Sequence, residues 1–138
     1  MTFSSGLPAV VVDASAAMAF LAGDEVWLER WTSWTEAEAM VLAPPHFPVE
    51  VANALLRSAR IPAIDASARL ARLYATGIDV ADRGLPGLVG AIELADRHGL
   101  SVYDALYLDL VLDVEGKLAT LDLDLARAAA AEGVPLTE

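Results

Sequence analysis

The 138-residue sequence contains no cysteine and few basic residues. The absence of cysteine excludes disulfide bonds and thiolate metal ligands within the chain, and it suits a cytoplasmic protein. Nine Lys and Arg residues face twenty Asp and Glu residues, so the formal net charge is −11. This charge disfavours non-specific nucleic-acid binding over the whole surface and favours cations or a basic protein as partners. Nucleic acid would need a local patch at which metal ions screen its phosphates.

The sequence also has no long hydrophobic run. The longest uninterrupted apolar stretch covers residues 16–22, well below the roughly 20 residues that span a bilayer. Residues 1–7 contain no Lys or Arg, so they do not resemble a secretory signal. No linker, repeat or low-complexity segment divides the chain, and 56% of its residues are hydrophobic. We therefore expect a single cytoplasmic domain over residues 1–138 that makes no membrane contact.

The remaining pattern alternates apolar strands with helical segments. Residues 9–12 form an apolar run that leads into Asp13, which is typical of a central parallel strand buried on both faces. The short connections predict an α/β fold with a three-layer arrangement around a parallel sheet. Further strands are predicted at 40–43, 78–81, 117–122 and, at a sheet edge, 134–136. After a short helix over residues 16–22, helices are predicted at 24–39, 47–60, 65–76, 85–98, 101–114 and 123–132.

Four acids occupy the ends and starts of these elements. Asp13 and Asp122 end predicted strands, whereas Glu50 and Asp104 lie at the starts of predicted helices. Each acid alone is explained by helix capping or by the helix dipole. In a parallel sheet, however, all four would converge on the carboxyl edge and raise one another's pKa unless a cation lay between them. Oxygen ligands of this kind suit Mg²⁺ or Mn²⁺, which can activate water against a phosphodiester.

The segments that carry these acids resemble the PIN domain, and more narrowly the VapC-type toxins of type II toxin–antitoxin pairs. They are residues 12–16, 48–55, 103–108 and 118–125, and the resemblance covers nearly the whole chain. It implies a PIN-like three-layer α/β/α fold with a five-stranded parallel sheet. It also implies an endoribonuclease dependent on Mg²⁺ or Mn²⁺ that hydrolyses RNA phosphodiester bonds, commonly in tRNA or rRNA. A cognate VapB-like antitoxin would inhibit the enzyme, and a homodimer is the other assembly implied.

The resemblance assigns roles to individual residues. Asp13 and Asp104 would be the main metal ligands. Glu50 would bind metal or position water, and Asp122 would complete the site directly or through water. Four neighbours are accessory candidates. Asp124 is a second acid close to Asp122, Ser15 and Thr120 either orient the acids or cap locally, and Asn53 shares a helix face with Glu50.

Other residues allow two interpretations. Arg57 and Arg60 are candidates for binding RNA phosphate at the rim of the site, or belong to an ordinary solvated face. Tyr107, like Tyr103, either stacks on a base or packs at the edge of the core. The remaining ambiguity is a stripe of three tryptophans, which predicts core packing or an exposed aromatic groove; it consists of Trp27, Trp31 and Trp34. Neither histidine, His46 or His98, lies in a nucleophile motif, so a catalytic histidine is not expected.

Two other functions compete with the nuclease. The first is a catalytically weak or inactive PIN-fold module that binds a basic protein or RNA through its acidic pocket, which the charge of −11 favours. The second is a receiver-like phosphoacceptor domain that uses Asp13. Such a domain needs a lysine at a late strand end, whereas Lys117, the only lysine, begins its strand. The second alternative is therefore the weaker one.

Overall fold

A computed structural model describes residues 8–138, so the expectation for residues 1–7 lies outside the described part of the chain. Strands and helices alternate along most of it, as the sequence predicts. The strands are β1 (Ala9–Val12), β2 (Met40–Ala43), β3 (Asp79–Val80) and β4 (Lys117–Ala119). The helices are α1 (Ala14–Leu21), α2 (Glu25–Glu36), α3 (Phe47–Asn53), α4 (Ala63–Ala75), α5 (Gly84–His98), α6 (Val102–Val114) and α7 (Leu123–Ala131).

The four strands form one parallel sheet in the order β3-β2-β1-β4. Every residue of β1 is buried, as expected of a central strand covered by helices on both faces. This arrangement places β1 and β4 side by side, with Val12 opposite Ala119. The chain segments that follow these two strands therefore leave the sheet next to each other.

The prediction of a fifth strand at 134–136 is corrected to a single parallel bridge between Leu118 and Leu136. The Leu118 N–H donates to the Pro135 carbonyl at 3.0 Å, and the Thr137 N–H donates to the Leu118 carbonyl at 3.0 Å. Pro135 has no N–H of its own, so a longer ladder cannot form through it. The sheet of the described residues consequently has four strands and one bridged edge segment.

The tryptophan stripe lies in the core. Trp27, Trp31 and Trp34 are 3%, 4% and 8% exposed, and Phe20 stacks on Trp31 with a ring separation of 4.2 Å. The core interpretation is therefore confirmed, and the interpretation as an exposed groove is wrong. These large aromatic surfaces anchor α2 against α1, which begins at the end of the central strand.

The predicted helix over 47–60 is α-helical only to Asn53. Residues Ala54–Ser58 form a π-helical segment, with the Ala59 N–H donating to the Ala54 carbonyl at 2.9 Å. A π-helix has more residues per turn than an α-helix, so the predicted alignment of Arg57 with Glu50 does not hold. Elsewhere the predicted helix boundaries agree within three residues, the largest difference being the end of α2 at Glu36.

Helices α5 and α6 pack closely because α5 has glycines on its inner face. A side chain at Gly87 or Gly90 would collide with Arg83 or with Asp109, respectively. The opposite face of α5 carries an exposed apolar stripe, formed by Leu85, Leu88, Val89 and Ile92. Within residues 8–138, no helix has both the length and the hydropathy required to cross a membrane.

Candidate active site

Asp13 is the buried acid at the end of the central strand, with 5% of its surface exposed. It is the N-cap of α1, and its Oδ1 accepts hydrogen bonds from the Ala16 N–H at 2.9 Å and the Ser15 hydroxyl at 2.6 Å. The Thr120 hydroxyl donates to Oδ2. Burial raises the pKa of Asp13, the three hydrogen bonds oppose that rise, and the nearby charge of Asp122 adds to it. The carboxylate is therefore held by donors from the first turn of α1 and from the segment after β4.

The hydroxyls of Ser15 and Thr120 link the first turn of α1 to the segment that follows β4. Besides donating to Asp13, Ser15 Oγ accepts from the Leu121 N–H at 2.8 Å, and Thr120 Oγ1 accepts from the Asp122 N–H at 2.9 Å. Each hydroxyl thus connects the first acid to the backbone that carries the fourth. Both hydroxyls hydrogen-bond to Asp13, which itself caps α1, and their role in orienting metal ligands stays a prediction.

Asp122 does not end a strand, because β4 stops at Ala119. It is instead the N-cap of α7, and its Oδ1 accepts from the Asp124 N–H at 2.9 Å and the Leu125 N–H at 3.1 Å. The prediction that the strand reaches residue 122 is wrong, because residues 120–122 lie outside β4 and the Asp122 N–H donates to Thr120 Oγ1 at 2.9 Å. Even so, the charge of Asp122 raises the pKa of both Asp13 and Asp104.

Asp124 faces a different environment. Its side chain is 75% exposed and forms an ion pair with Arg127 at 3.0 Å on the surface of α7. Asp124 does not contribute to the pKa shifts of Asp13, Glu50 or Asp104. Asp122, and not Asp124, therefore affects the pKa of Asp13 and Asp104, and the choice of Asp122 as the fourth acid stays a prediction.

Glu50 lies in the first turn of α3 and is held through one oxygen. The buried Tyr107 hydroxyl donates to Glu50 Oε1 at 2.7 Å. His46 Nε2 lies 3.0 Å from the same oxygen, a close polar contact that lacks hydrogen-bond angles. The contact with His46, followed by the Tyr107 hydrogen bond, lowers the pKa of Glu50 against the effect of burial. Glu50 is therefore an ionised carboxylate at neutral pH.

His46 and Tyr107 are the site residues whose positions the sequence interpretation missed. Tyr107 is 1% exposed, so the interpretation in which its ring packs against the core is confirmed and the one in which it stacks on a base is wrong. Burial and Glu50 also raise the pKa of its hydroxyl, which stays protonated as a donor. The available signal was the spacing of His46 and Glu50, four residues apart at a helix start, which places both side chains on one face.

The exposed candidates form a second group. Tyr103, next to Asp104, is 65% exposed, and its ring lies 5.8 Å from that of His46. Arg57, Arg60 and Asn53 are also exposed, and neither arginine forms an ion pair within residues 8–138. Their roles in RNA binding stay predictions.

Asp104 interacts electrostatically with two of the other acids, Asp122 and Glu50. It lies in the first turn of α6, where its N–H donates to Ser101 Oγ at 3.1 Å. Burial raises the pKa of Asp104 first, and the charges of Asp122 and Glu50 raise it further. Across the described chain, no Lys or Arg forms an ion pair with any of the four acids. We call Asp13, Glu50, Asp104 and Asp122 the edge acids.

The edge acids offer an all-oxygen donor set that suits a hard divalent cation. In the described residues, no three acidic or histidine side chains converge closely enough to enclose an ion. Mg²⁺ usually takes only one or two carboxylates and completes its shell with water and substrate phosphate. The residues therefore fit an open Mg²⁺ or Mn²⁺ site, in which a cation would relieve the repulsion that raises the pKa of Asp104.

Comparison with known families identifies the chain. The sequence model of the PIN domain family matches residues 10–131. The chain belongs to the PIN domain family. This membership confirms the resemblance found in the sequence, and the PIN fold accounts for the parallel sheet flanked by helices. A search of curated proteins finds no match to this PIN domain.

Solved structures share the fold of this PIN domain. PAE2754 from Pyrobaculum aerophilum is 25% identical, with a TM-score of 0.70 over 90% of this chain and 83% of that one. VapC20 from Mycobacterium tuberculosis, described as a sarcin-ricin loop cleaving toxin, is 24% identical, with a TM-score of 0.69 over 86% and 94% of the two chains. VapBC2 from Rickettsia felis, bound to a DNA fragment from its promoter, is 10% identical, with a TM-score of 0.72 over 94% and 97%. These likenesses concern the fold.

Proposed function

We propose that this PIN domain is a VapC-like toxin, a metal-dependent endoribonuclease that hydrolyses RNA phosphodiester bonds in the cytoplasm. The observation that carries the proposal is the set of edge acids, none of which forms an ion pair with a Lys or Arg in residues 8–138; burial, then Asp122 and Glu50, raise the pKa of Asp104 among them. Membership in the PIN family and the fold shared with VapC20, a sarcin-ricin loop cleaving toxin, support the same conclusion.

The four edge acids would have different roles, which follow from the different groups around each of them. Asp13 and Asp104 would hold the cation, Asp13 being fixed by three hydrogen bonds. When bound, Mg²⁺ or Mn²⁺ supplies Lewis-acid charge and lowers the pKa of a coordinated water. Glu50, kept ionised by Tyr107 and His46, would bind the cation or orient the attacking water. Asp122 would complete the site, directly or through water, and Asp124 would have no part in it.

RNA would have to reach this site against the net charge of −11. We expect divalent cations to screen the phosphates near the edge acids. The exposed ring of Tyr103 is available to stack on a base next to Asp104. Exposed Arg57 and Arg60 would bind phosphates farther along the strand. The substrate class that the resemblance implies is tRNA or rRNA.

The proposed partners follow from charge and from the surface. A basic segment of a VapB-like antitoxin would dock over the edge acids and exclude RNA and metal. The toxin–antitoxin complexes from Klebsiella pneumoniae and Rickettsia felis, which share the fold, support such a pairing. A homodimer is also proposed, and it needs an apolar surface such as the exposed stripe on α5.

Cleavage of RNA by the purified protein tests the proposal. We expect cleavage with Mg²⁺ or Mn²⁺, none with EDTA, and a loss of about 100-fold or more in Asp104→Ala, because a metal ligand contributes several kcal/mol. Asp96→Ala, which changes an exposed acid on α5, is the matched control and should cleave at the rate of the original protein. Cleavage that persists in both EDTA and Asp104→Ala would overturn the assignment of this site.

A second function is favoured by one observation, the lack of three converging ligands in the described residues. On this alternative, the protein is a catalytically weak or inactive PIN-fold module that binds a basic protein or RNA. Tight, salt-sensitive binding to a basic peptide, together with no metal-dependent cleavage of tRNA or rRNA, would support the alternative over the nuclease.

A further inference from the structure

The two oxygens of the Glu50 carboxylate have different surroundings. Both close polar contacts, from the Tyr107 hydroxyl at 2.7 Å and from His46 Nε2 at 3.0 Å, involve Oε1. In the described part of the chain, Oε2 has no hydrogen-bond partner. A carboxylate held through one oxygen keeps the other available for a ligand, and the direction of the free oxygen depends on the groups that hold the first.

The groups that hold Oε1 are themselves fixed by packing. Tyr107 is 1% exposed and lies on α6 next to the fully buried Leu108, so its ring and hydroxyl are held in a defined position. The His46 ring packs edge-on against the Tyr107 ring at 4.9 Å, and 16% of its side chain is exposed. Tyr107 and Glu50 are 57 residues apart in sequence. The hydrogen bond therefore couples the start of α3 to the helix that carries Asp104.

We infer that Tyr107 and His46 are positioning residues, which anchor Glu50 through Oε1 and leave Oε2 as its ligand oxygen for a divalent cation. The inference rests on the proposed function and adds to it residues outside the set of acids. Tyr107 is the stronger anchor, because its hydroxyl forms a hydrogen bond whereas His46 makes a contact without suitable angles. Groups that orient a ligand in this way typically change metal affinity by about 10–100-fold.

The test measures Mn²⁺ binding by titration calorimetry, without RNA. Tyr107→Phe keeps the buried ring and removes only the hydroxyl, and we expect it to weaken Mn²⁺ binding about 10-fold. His46→Phe keeps the ring contact with Tyr107 and should weaken binding less. Tyr74→Phe, at a tyrosine that is 47% exposed on α4, is the matched control and should leave the affinity unchanged.

A double-mutant cycle separates positioning from a merely structural role. If Tyr107 acts through Glu50, Tyr107→Phe should change the Mn²⁺ affinity by less than about 2-fold in the Glu50→Ala background. If the hydroxyl only stabilises the fold, its effect would be equal in both backgrounds, and the inference would be overturned. Circular dichroism and thermal unfolding confirm that each variant is folded.

The outcomes also distinguish this inference from the proposed function. Mn²⁺ binding that depends on Tyr107 without any RNA cleavage would support the positioning role and contradict the nuclease. Cleavage with unchanged Mn²⁺ affinity in Tyr107→Phe would support the nuclease and overturn the positioning role. No Mn²⁺ binding by the unaltered protein would overturn the inference outright.

Discussion

Two groups of acids in this molecule have opposite surroundings. Between α5 and α6, Asp109 and Asp113 lie on either side of Arg83, whose Nη1 contacts Asp109 Oδ2 and whose Nε lies 3.2 Å from Asp113 Oδ2. The edge acids have no arginine or lysine among them. The α5–α6 group therefore contains its own counter-ion. Among the edge acids, the charges of Asp122 and Glu50 act against ionisation of Asp104, and the basic side chain in contact is His46, next to Glu50.

The comparison shows that acid content alone does not mark a site. Burial raises the pKa of Asp109, as it raises that of Asp104, but Arg83 opposes the shift at Asp109 while two acids reinforce it at Asp104. Acids that the chain neutralises contribute to helix packing. Acids that it leaves without a counter-ion depend on a cation from outside, which is the condition of a metal site.

The largest effect should come from removing the internal counter-ion. Arg83→Met leaves Asp109, with 14% of its side chain exposed, without its partner. We expect the free energy of unfolding at pH 7 to fall by about 1–3 kcal/mol, less than for a fully buried pair because the pair contacts solvent. Urea unfolding measures this loss. The control Arg127→Met removes a surface ion pair and should cost at most about 0.5 kcal/mol. Equal losses would erase the distinction.

A bound cation should stabilise the folded protein only when the edge acids are intact. At ten times its dissociation constant, Mn²⁺ should raise the free energy of unfolding by about 1.4 kcal/mol. Thermal unfolding with and without Mn²⁺ would show this gain in the unaltered protein and in Asp113→Asn, and its loss in Asp104→Asn. A gain that survives in Asp104→Asn would place the cation elsewhere.

The α5–α6 group should also have a recognisable pH dependence. Because the pKa of Asp109 is raised in the folded state, its contribution to stability is greatest at low pH. That contribution is lost as pH rises from the ordinary aspartate value through the raised one. Removing Arg83 raises the pKa further, so the loss in Arg83→Met should be greater at pH 7 than at pH 4, by a fraction of the total effect. Urea unfolding at the two pH values checks the sign, and a greater loss at pH 4 would contradict it.

The smallest effect should come from Asp124. Because its partner Arg127 is 76% exposed, Asp124→Asn should change stability by less than about 0.5 kcal/mol and leave Mn²⁺ affinity unchanged. Asp122→Asn should weaken Mn²⁺ binding measurably, because the charge of Asp122 acts on both Asp13 and Asp104. Calorimetric titration of both variants measures the contrast. If Asp124→Asn weakened Mn²⁺ binding and Asp122→Asn did not, the fourth acid of the site would be Asp124.

Much of this arrangement was predictable from local sequence. The apolar run before Asp13 defined the central strand, and the spacing of Ser101 and Asp104 defined the start of α6. Such signals depend on neighbours within one turn or one strand, so a single sequence contains them. The end of β4 was missed because the hydrogen bonds made after Ala119 include one from Thr120 to Asp13, two residues that are 107 apart in sequence.

Long-range partners account for the rest. Nothing near Tyr107 in sequence indicates that its hydroxyl meets Glu50, so its aromatic ring was equally consistent with base stacking. The π-helical segment Ala54–Ser58 has the same apolar spacing as an ordinary helix, so its wider winding left no local signal. The pairing of Arg83 with Asp109 likewise depends on how closely α6 approaches the glycine-bearing turns of α5.

The single bridge at Leu118 also affects how copies of this protein can meet. Unpaired backbone groups at the edge of a sheet can form hydrogen bonds with a strand from another molecule. Here both backbone groups of Leu118 that face outward are occupied by Pro135 and Thr137. Proline adds a position that cannot donate at all. At the opposite edge, β3 is only two residues long. Within residues 8–138, both edges of the sheet therefore leave few backbone groups unpaired for a strand from another molecule.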